Sequence, residues 1–381
     1  MSDSTIKVEV TEKNVGRKEF KVKTRDEKLD FYRGLVMLEV VLAHTCYFSG
    51  QSYVPEIMRT VCLLYEMPLL VFLAGRSAQH RSGLSSVFAG LLNIWLKWVL
   101  ISTLVVLGYR IICGRSAVTP TQYLQGLMFY SLEVNDLGVF FQSMWYMRMY
   151  VVVVLVAGIL QELDKRVQFS VRSKWSFVLF LVMGLAYASF SEVDSFFGLN
   201  RMQLCYLSFF MIGYLTKPTT RLTRKTYLLG MAFFATLWIG ISHMMGLNFL
   251  IIQGVKFPPH FIYWTEAMLS IWTCFFLWQY GSKWIHRCGF IRFLGRHSLC
   301  FFFSQGLGAG FIYRFVPLNE HYGWVKVFLF SLGVNYLIML FGGLAIFGIF
   351  RIFDRVANKI QLSEQLERVL QFEEGLPRGE S

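Results

Sequence analysis

Arg33, Glu39 and His44 stand within one largely apolar stretch, D-F-Y-R-G-L-V-M-L-E-V-V-L-A-H-T, residues 30–45. Arg33 and His44 are eleven residues apart, and in a helix eleven steps of about 100° make three turns plus about 20°, with a rise of about 16 Å. The two side chains therefore share one face at different depths. Imidazole exchanges its proton near neutral pH, which suits a general base that takes a hydroxyl proton during attack on an acyl group. Guanidinium offers a planar fork to phosphate or carboxylate. The bland alternatives are a snorkelling anchor for Arg33 and a hydrogen-bonded packing residue for His44.

Other polar residues interrupt apolar runs: Glu66 before Met67-Pro68, Lys97 in W-L-K-W, Arg148 after Trp145-Tyr146, Arg201, Gln203, Glu266 and the run Arg296-His297-Ser298. Ionisable groups at membrane depth are costly, which makes each a functional candidate. Glu66 precedes a proline that frees backbone groups, an irregularity tolerated beside a cavity. It is expected to bind a hydroxyl or to pair with Arg148, with a purely structural ion pair as the competing reading. Arg296 and His297 are also explained by orientation at a helix end. The seven cysteines contain no C-x-x-C pair and read as small buried apolar side chains, so no metal site is expected.

The elements that must position these groups follow from composition. The chain has 381 residues, 55% hydrophobic, 17% aromatic and only 16% charged, against about 25% charged in soluble domains. A single soluble globule, a disordered chain and a secreted disulfide scaffold are excluded together. With about 20 apolar residues needed per crossing, the fold class is all-α, a polytopic membrane bundle of about ten transmembrane helices. The expected segments are 30–48, 57–76, 87–112, 139–160, 175–190, 199–216, 226–245, 262–281, 292–316 and 323–350. A short interfacial helix is expected at Tyr123 to Tyr130, and a re-entrant bend is the alternative for Ser191 to Asn200.

Loop charge sets orientation. Arg76 and Arg81, then Lys165, Arg166, Arg172 and Lys174, then Lys217, Arg221, Arg224 and Lys225, then Lys283, Arg287 and Arg292 fall in alternate loops, while the others hold little beyond Arg115 and Lys256. The positive-inside rule then puts both termini in the cytoplasm and the protein in the cell (inner) membrane. The net charge of +13 is thus an anchor pattern, and no nucleic-acid partner is expected. Met1 to Lys28 lacks the apolar stretch of a secretory signal, so an internal segment is expected to drive insertion. The organisation read from the chain is a basic cytoplasmic tail (1–29), a membrane domain (30–350) and a cytoplasmic tail (351–381). In that last part Ile360, Leu362, Leu366, Val369, Leu370 and Phe372 recur near helical spacing, an amphipathic pattern suited to the membrane surface.

Five landmarks in order resemble the acyltransferase-3 family of integral membrane acyltransferases. They are Arg33 and His44 in the helix opened by L-D-F-Y-R-G-L, M-P-L-L-V-F-L-A-G at Met67 to Gly75, Trp145-Tyr146 opening a middle helix, Phe-x-x-Gly-Tyr-Leu at Phe210 to Leu215, and L-G-R-H-S-L at Leu294 to Leu299. Ala74 stands where the family usually has Ser, and Gln305 stands where many members have a His. The phrases R-D-E-K-L-D-F-Y-R-G-L and G-R-H-S-L are also similar to the branch that succinylates periplasmic glucans.

The resemblance implies transfer of an acetyl or succinyl group from cytoplasmic acyl-CoA, a donor substrate and not a resident cofactor, to a hydroxyl of a periplasmic or cell-surface carbohydrate. It makes His44 the base and Arg33 its catalytic companion, binding a CoA phosphate with Lys97 or Arg296 as helpers. Substrate contacts are expected from Glu66, Trp145, Tyr146, Arg148 and Ser298, with Arg148, Tyr146 or Ser298 facing the developing oxyanion. A transporter or flippase of a glycan or lipid-linked intermediate is the alternative, which inverted repeats and paired broken helices would favour. A catalytically inactive membrane scaffold is the third reading.

Overall fold

The computed structural model describes residues 26–50, 52–65, 67–79, 83–113, 118–130, 135–216 and 222–374, and an antiparallel strand pair, Val8–Glu9 with Lys21–Val22. Its main helices are α1 (Glu27–His44), α2 (Met67–Ala78), α3 (Gly83–Cys113), α4 (Trp145–Val167), α5 (Val171–Phe190), α6 (Arg201–Leu215), α7 (Arg224–Met244), α8 (Phe261–Tyr280), α9 (Ser298–Ile312) and α10 (Trp324–Glu374). Among the described residues the fold is all-α apart from two short strand pairs.

Among the described residues, six helical stretches are long and apolar enough to cross a membrane: 83–112, 137–167, 171–190, 224–244, 298–322 and 324–359. They divide by burial. The apolar windows of α3, α7 and α10 are only 22%, 17% and 22% buried, so these helices form the rim, whereas the window beginning with α9 is 61% buried and central. Helices α1, α2, α6 and α8 fall short of the length or apolarity test, and they lie largely inside the ring; α6 buries every residue from Leu204 to Gly213. A helix screened from lipid by its neighbours has no need of an apolar surface, and these helices carry the polar groups.

Two glycine crossings hold the centre. A Cβ on Gly295 would strike the Asp30 carbonyl and one on Gly34 the Ile291 carbonyl, so α1 lies backbone to backbone on the helix Gly289–Arg296. Gly75 and Gly213 play the same part between α2 and α6, facing the Phe210 and Phe72 carbonyls. Small residues allow this approach, and packing then supplies the attraction that lipid does not. At one end of the bundle Glu27 pairs with His286 and Arg292, Lys28 Nζ donates to the Trp278 carbonyl at 3.0 Å, and Arg296 faces Asp30 at 3.9 Å.

Several windows are broken where one helix was expected. The second divides into Glu56–Val61 and α2, because Pro68 has no N–H to give and fits only the first turn of a helix. Glu39 accepts from the Tyr65 amide at 2.6 Å and Ser270 donates to the Leu64 carbonyl, so neighbouring side chains occupy backbone groups that the break releases. The fourth window divides into Asn135–Gln142 and α4, and the ninth into Gly289–Arg296 and α9. Residues 195–200 form a tight antiparallel pair, Ser195–Phe196 with Leu199–Asn200, in place of a re-entrant bend. The expected interfacial helix is Pro120–Leu127, closed at its start by a Thr119/Gln122 capping box. Helix α10 continues through Phe350 to Glu374 without interruption; the side chains of its amphipathic stretch from 360 onward lie outside the described residues.

Candidate functional site

The upper level of the site is built where α1 changes its winding. After His44 the chain makes one π turn, Thr45–Ser49, a local widening of the helix that often marks functional positions. The turn is held from both sides: Thr45 Oγ1 donates to the Val41 carbonyl at 2.8 Å, and Asn335 Nδ2 from α10 donates to Thr45 Oγ1 at 2.9 Å. His44 is thereby pointed at α9, where its Nδ1 meets Gln305 Oε1 in a short hydrogen bond, with the Phe48 ring edge-on at 5.1 Å. With the amide oxygen as acceptor, Nδ1 carries the proton and Nε2 keeps its lone pair. The tautomer follows from that pairing. Gln305 is 1% exposed, and its Nε2 meets no acceptor among the described residues.

A loop closes over this level. Ile252–Val255 forms a short 3-10 turn, and Ile252, Lys256 and His260 are all buried. Lys256 lies within electrostatic range of His44, and its ammonium stands 5.5 Å from the Trp145 ring and 5.2 Å from Phe257. Trp145 meets Phe257 edge-on at 4.8 Å. His44, Gln305, Lys256 and Trp145 thus come from α1, α9, the loop before α8 and the start of α4.

The lower level is a cavity of about 150 Å³ whose wall includes Arg33, Ala74, Tyr146, Tyr150, Ser298 and Phe302. Arg33 Nη2 donates to Ser77 Oγ at 2.5 Å, and Ser77 in turn donates to the Leu73 carbonyl at 2.8 Å. Tyr146 is buried, and its hydroxyl has no partner among the described residues. The two levels share a pair of helices. Ser298 and Gln305 are seven residues apart on α9, two turns and about 10 Å, as Arg33 and His44 are three turns apart on α1. Tyr146 lines the lower cavity while its neighbour Trp145 stands at the upper level.

The structure therefore brings together Arg33, Tyr146 and Ser298, and places His44 and Trp145 above them. Other candidates lie elsewhere. Lys97 is paired with Asp354 at 2.9 Å and set 5.1 Å from the Phe350 ring, tying α3 to α10 away from the cavity. Arg148 is exposed and stacks on Tyr130 at 4.2 Å, on the side of α4 opposite to buried Tyr146. Arg296 faces Asp30 near the charged end of the bundle. Glu66 lies outside the described residues.

Gln305, Lys256, Ser77, Tyr150 and Asn335 were not picked out as site residues from sequence. Gln305 had a signal, since it stands where the resemblance leads one to look for a second histidine; Lys256 read as an ordinary loop charge. Comparison with protein-family models, with curated proteins and with solved structures returns no match to this chain.

Proposed function

We propose that this protein is a membrane O-acyltransferase resembling the acyltransferase-3 family, moving an acetyl or succinyl group from acyl-CoA to a carbohydrate hydroxyl. The observation that carries the reading is the His44–Gln305 pair, an imidazole held by its Nδ1 with Nε2 left to act as a base. In the reaction, Nε2 takes the proton of the acceptor hydroxyl as its oxygen attacks the thioester carbonyl. The tetrahedral intermediate then collapses, the carbon–sulfur bond breaks, and the departing thiolate takes the proton back from the imidazolium. An ester and free CoA result. Gln305 is a positioning residue in this scheme, holding the ring as a carboxylate does in hydrolytic triads.

Arg33 supplies the cation for the donor. Its hydrogen bond to Ser77 fixes the guanidinium beside the cavity, where a phosphate of the donor has a charged partner. Tyr146 and Ser298 hydroxyls line the same space and are suited to hydrogen-bond the donor on its way up to His44. Lys256 gives the upper level a positive charge that favours an anionic group beside His44. The basic loops favour ten crossings, with both termini cytoplasmic, in the inner membrane. The donor then enters at the Arg33 level, and the carbohydrate reaches His44 from the opposite face.

The test uses purified full-length protein incubated with acetyl-CoA or succinyl-CoA and a polyhydroxyl acceptor. Acyl transfer is expected to release one CoA thiol for each ester formed. Movement of a glycan across vesicles with no CoA released would contradict this reading and support the transporter.

A further inference from the structure

A second cavity, distinct from that of Arg33, opens between α5, α6, α7 and α8. Helices α5 and α8 meet at one end, where the Phe261 amide donates to Ser189 Oγ at 2.9 Å and the Phe190 and Phe261 ring centroids lie 6.1 Å apart. Away from that contact they splay apart, leaving a groove of about 1000 Å³ with α6 as its floor. This lies at the upper end of the size range of small-molecule sites. Its walls are apolar and aromatic, including Trp175, Leu179, Trp264 and Trp272. Leu179 is 60% exposed, so the groove opens on the outer surface of the bundle.

Its other end is cationic. Lys28 and Arg76 both line it. Arg76 is 3% exposed, its guanidinium lies 4.2 Å from the Trp278 ring, and its Nε has no hydrogen-bond acceptor among the described residues. Lys28 donates to the Trp278 carbonyl, and Trp278 itself stacks on Tyr32 at 5.3 Å. Asp26 lies within electrostatic range of Arg76, but its side chain accepts from the amides of Lys28 and Leu29. A buried guanidinium with an orphan donor at the end of an apolar trough is a costly arrangement that an anionic ligand would relieve. The groove end shares the charged rim where Glu27 meets His286 and Arg292, the level at which lipid headgroups lie.

We infer that this groove binds an anionic phospholipid of the surrounding membrane, its phosphate on Arg76 and Lys28 and one acyl chain along the Trp175 and Trp272 walls. The inference does not rest on the acyl-transfer reading, since no residue of the Arg33 cavity takes part.

The experiment is native mass spectrometry of the full chain in detergent, given phosphatidylglycerol and diacylglycerol of identical acyl chains. Phosphatidylglycerol is expected to be retained about tenfold better, the scale of one charge-assisted hydrogen bond. Arg76→Gln should remove the preference and leave diacylglycerol retention as it was. Leu179→Trp, at an exposed position that folding tolerates, should fill the trough and lower phosphatidylglycerol retention in a chain with Arg76 intact. Equal retention of the two lipids by the unaltered protein would overturn the proposal, as would a phosphatidylglycerol preference untouched by Leu179→Trp. Displacement of the lipid by glycerol 3-phosphate would assign the end to a free phosphate, and displacement by acetyl-CoA would assign the groove to the donor; either result overturns the lipid assignment.

Discussion

Replacing Gln305 by Leu tests how His44 is held. The side chain is 1% exposed, and its oxygen is the partner of Nδ1. Leu has a similar size, so the variant removes an acceptor with little change in packing. A buried N–H left without its partner costs about 1–3 kcal/mol, and thermal unfolding in detergent should show a loss of that order. Catalysis should fall for a separate reason. Without the hydrogen bond, worth about 1.5 kcal/mol, the productive tautomer loses its preference and kcat should drop by about tenfold. KM for acyl-CoA should stay constant, because Gln305 does not line the Arg33 cavity. Gln305→Glu restores an acceptor and should recover most of kcat. A Gln305→Leu protein that transfers acyl groups at the unaltered rate would refute the positioning role, and so would a change confined to KM.

Three further outcomes are expected. Asp354→Asn removes the partner of Lys97, and because Asp354 is 49% exposed the loss should be limited to about 1 kcal/mol in thermal unfolding, with transfer per folded molecule unchanged. Gly213→Ala pushes a methyl into the Phe72 carbonyl at the crossing of α2 and α6, and should cost about 1–3 kcal/mol in the same measurement. The carboxyl of Glu27, ahead of the membrane segment, is held below the usual carboxylate range chiefly by its hydrogen bond from His286, which outweighs the opposing effect of burial with help from Arg292. A depressed carboxylate contributes stability above its unfolded pKa of about 4.3. That contribution is lost as pH falls through the lower folded value, so Glu27→Gln should flatten the acid limb of a stability-against-pH curve.

Much of the scaffold was legible from apolar length. Windows of about 20 apolar residues fall on α3, α5, α7 and α10, and the separation of Arg33 from His44 along α1 follows from helical rise alone. The breaks at Met67-Pro68 and His297 were harder, because hydropathy averages over a kink; the proline was the visible sign of the first. Side-chain partners remote in sequence were not legible at all. Lys97 and Asp354 are 257 residues apart, and His44 and Gln305 are 261 apart. Arg148 shows the limit differently: apolar neighbours on every side of α4 hid which face was inward, and the structure turns that residue outward onto Tyr130. Lys256 looked like a loop residue and is one, but its loop folds into the bundle.

The most direct measurement is transfer of a radiolabelled acyl group from acyl-CoA by purified, full-length His44→Ala, with insertion and thermal unfolding compared with the unaltered chain. Loss of ester formation by a variant that remains folded in the membrane is the predicted result. Undiminished transfer by that variant would remove His44 from the chemistry and with it the reading of the site.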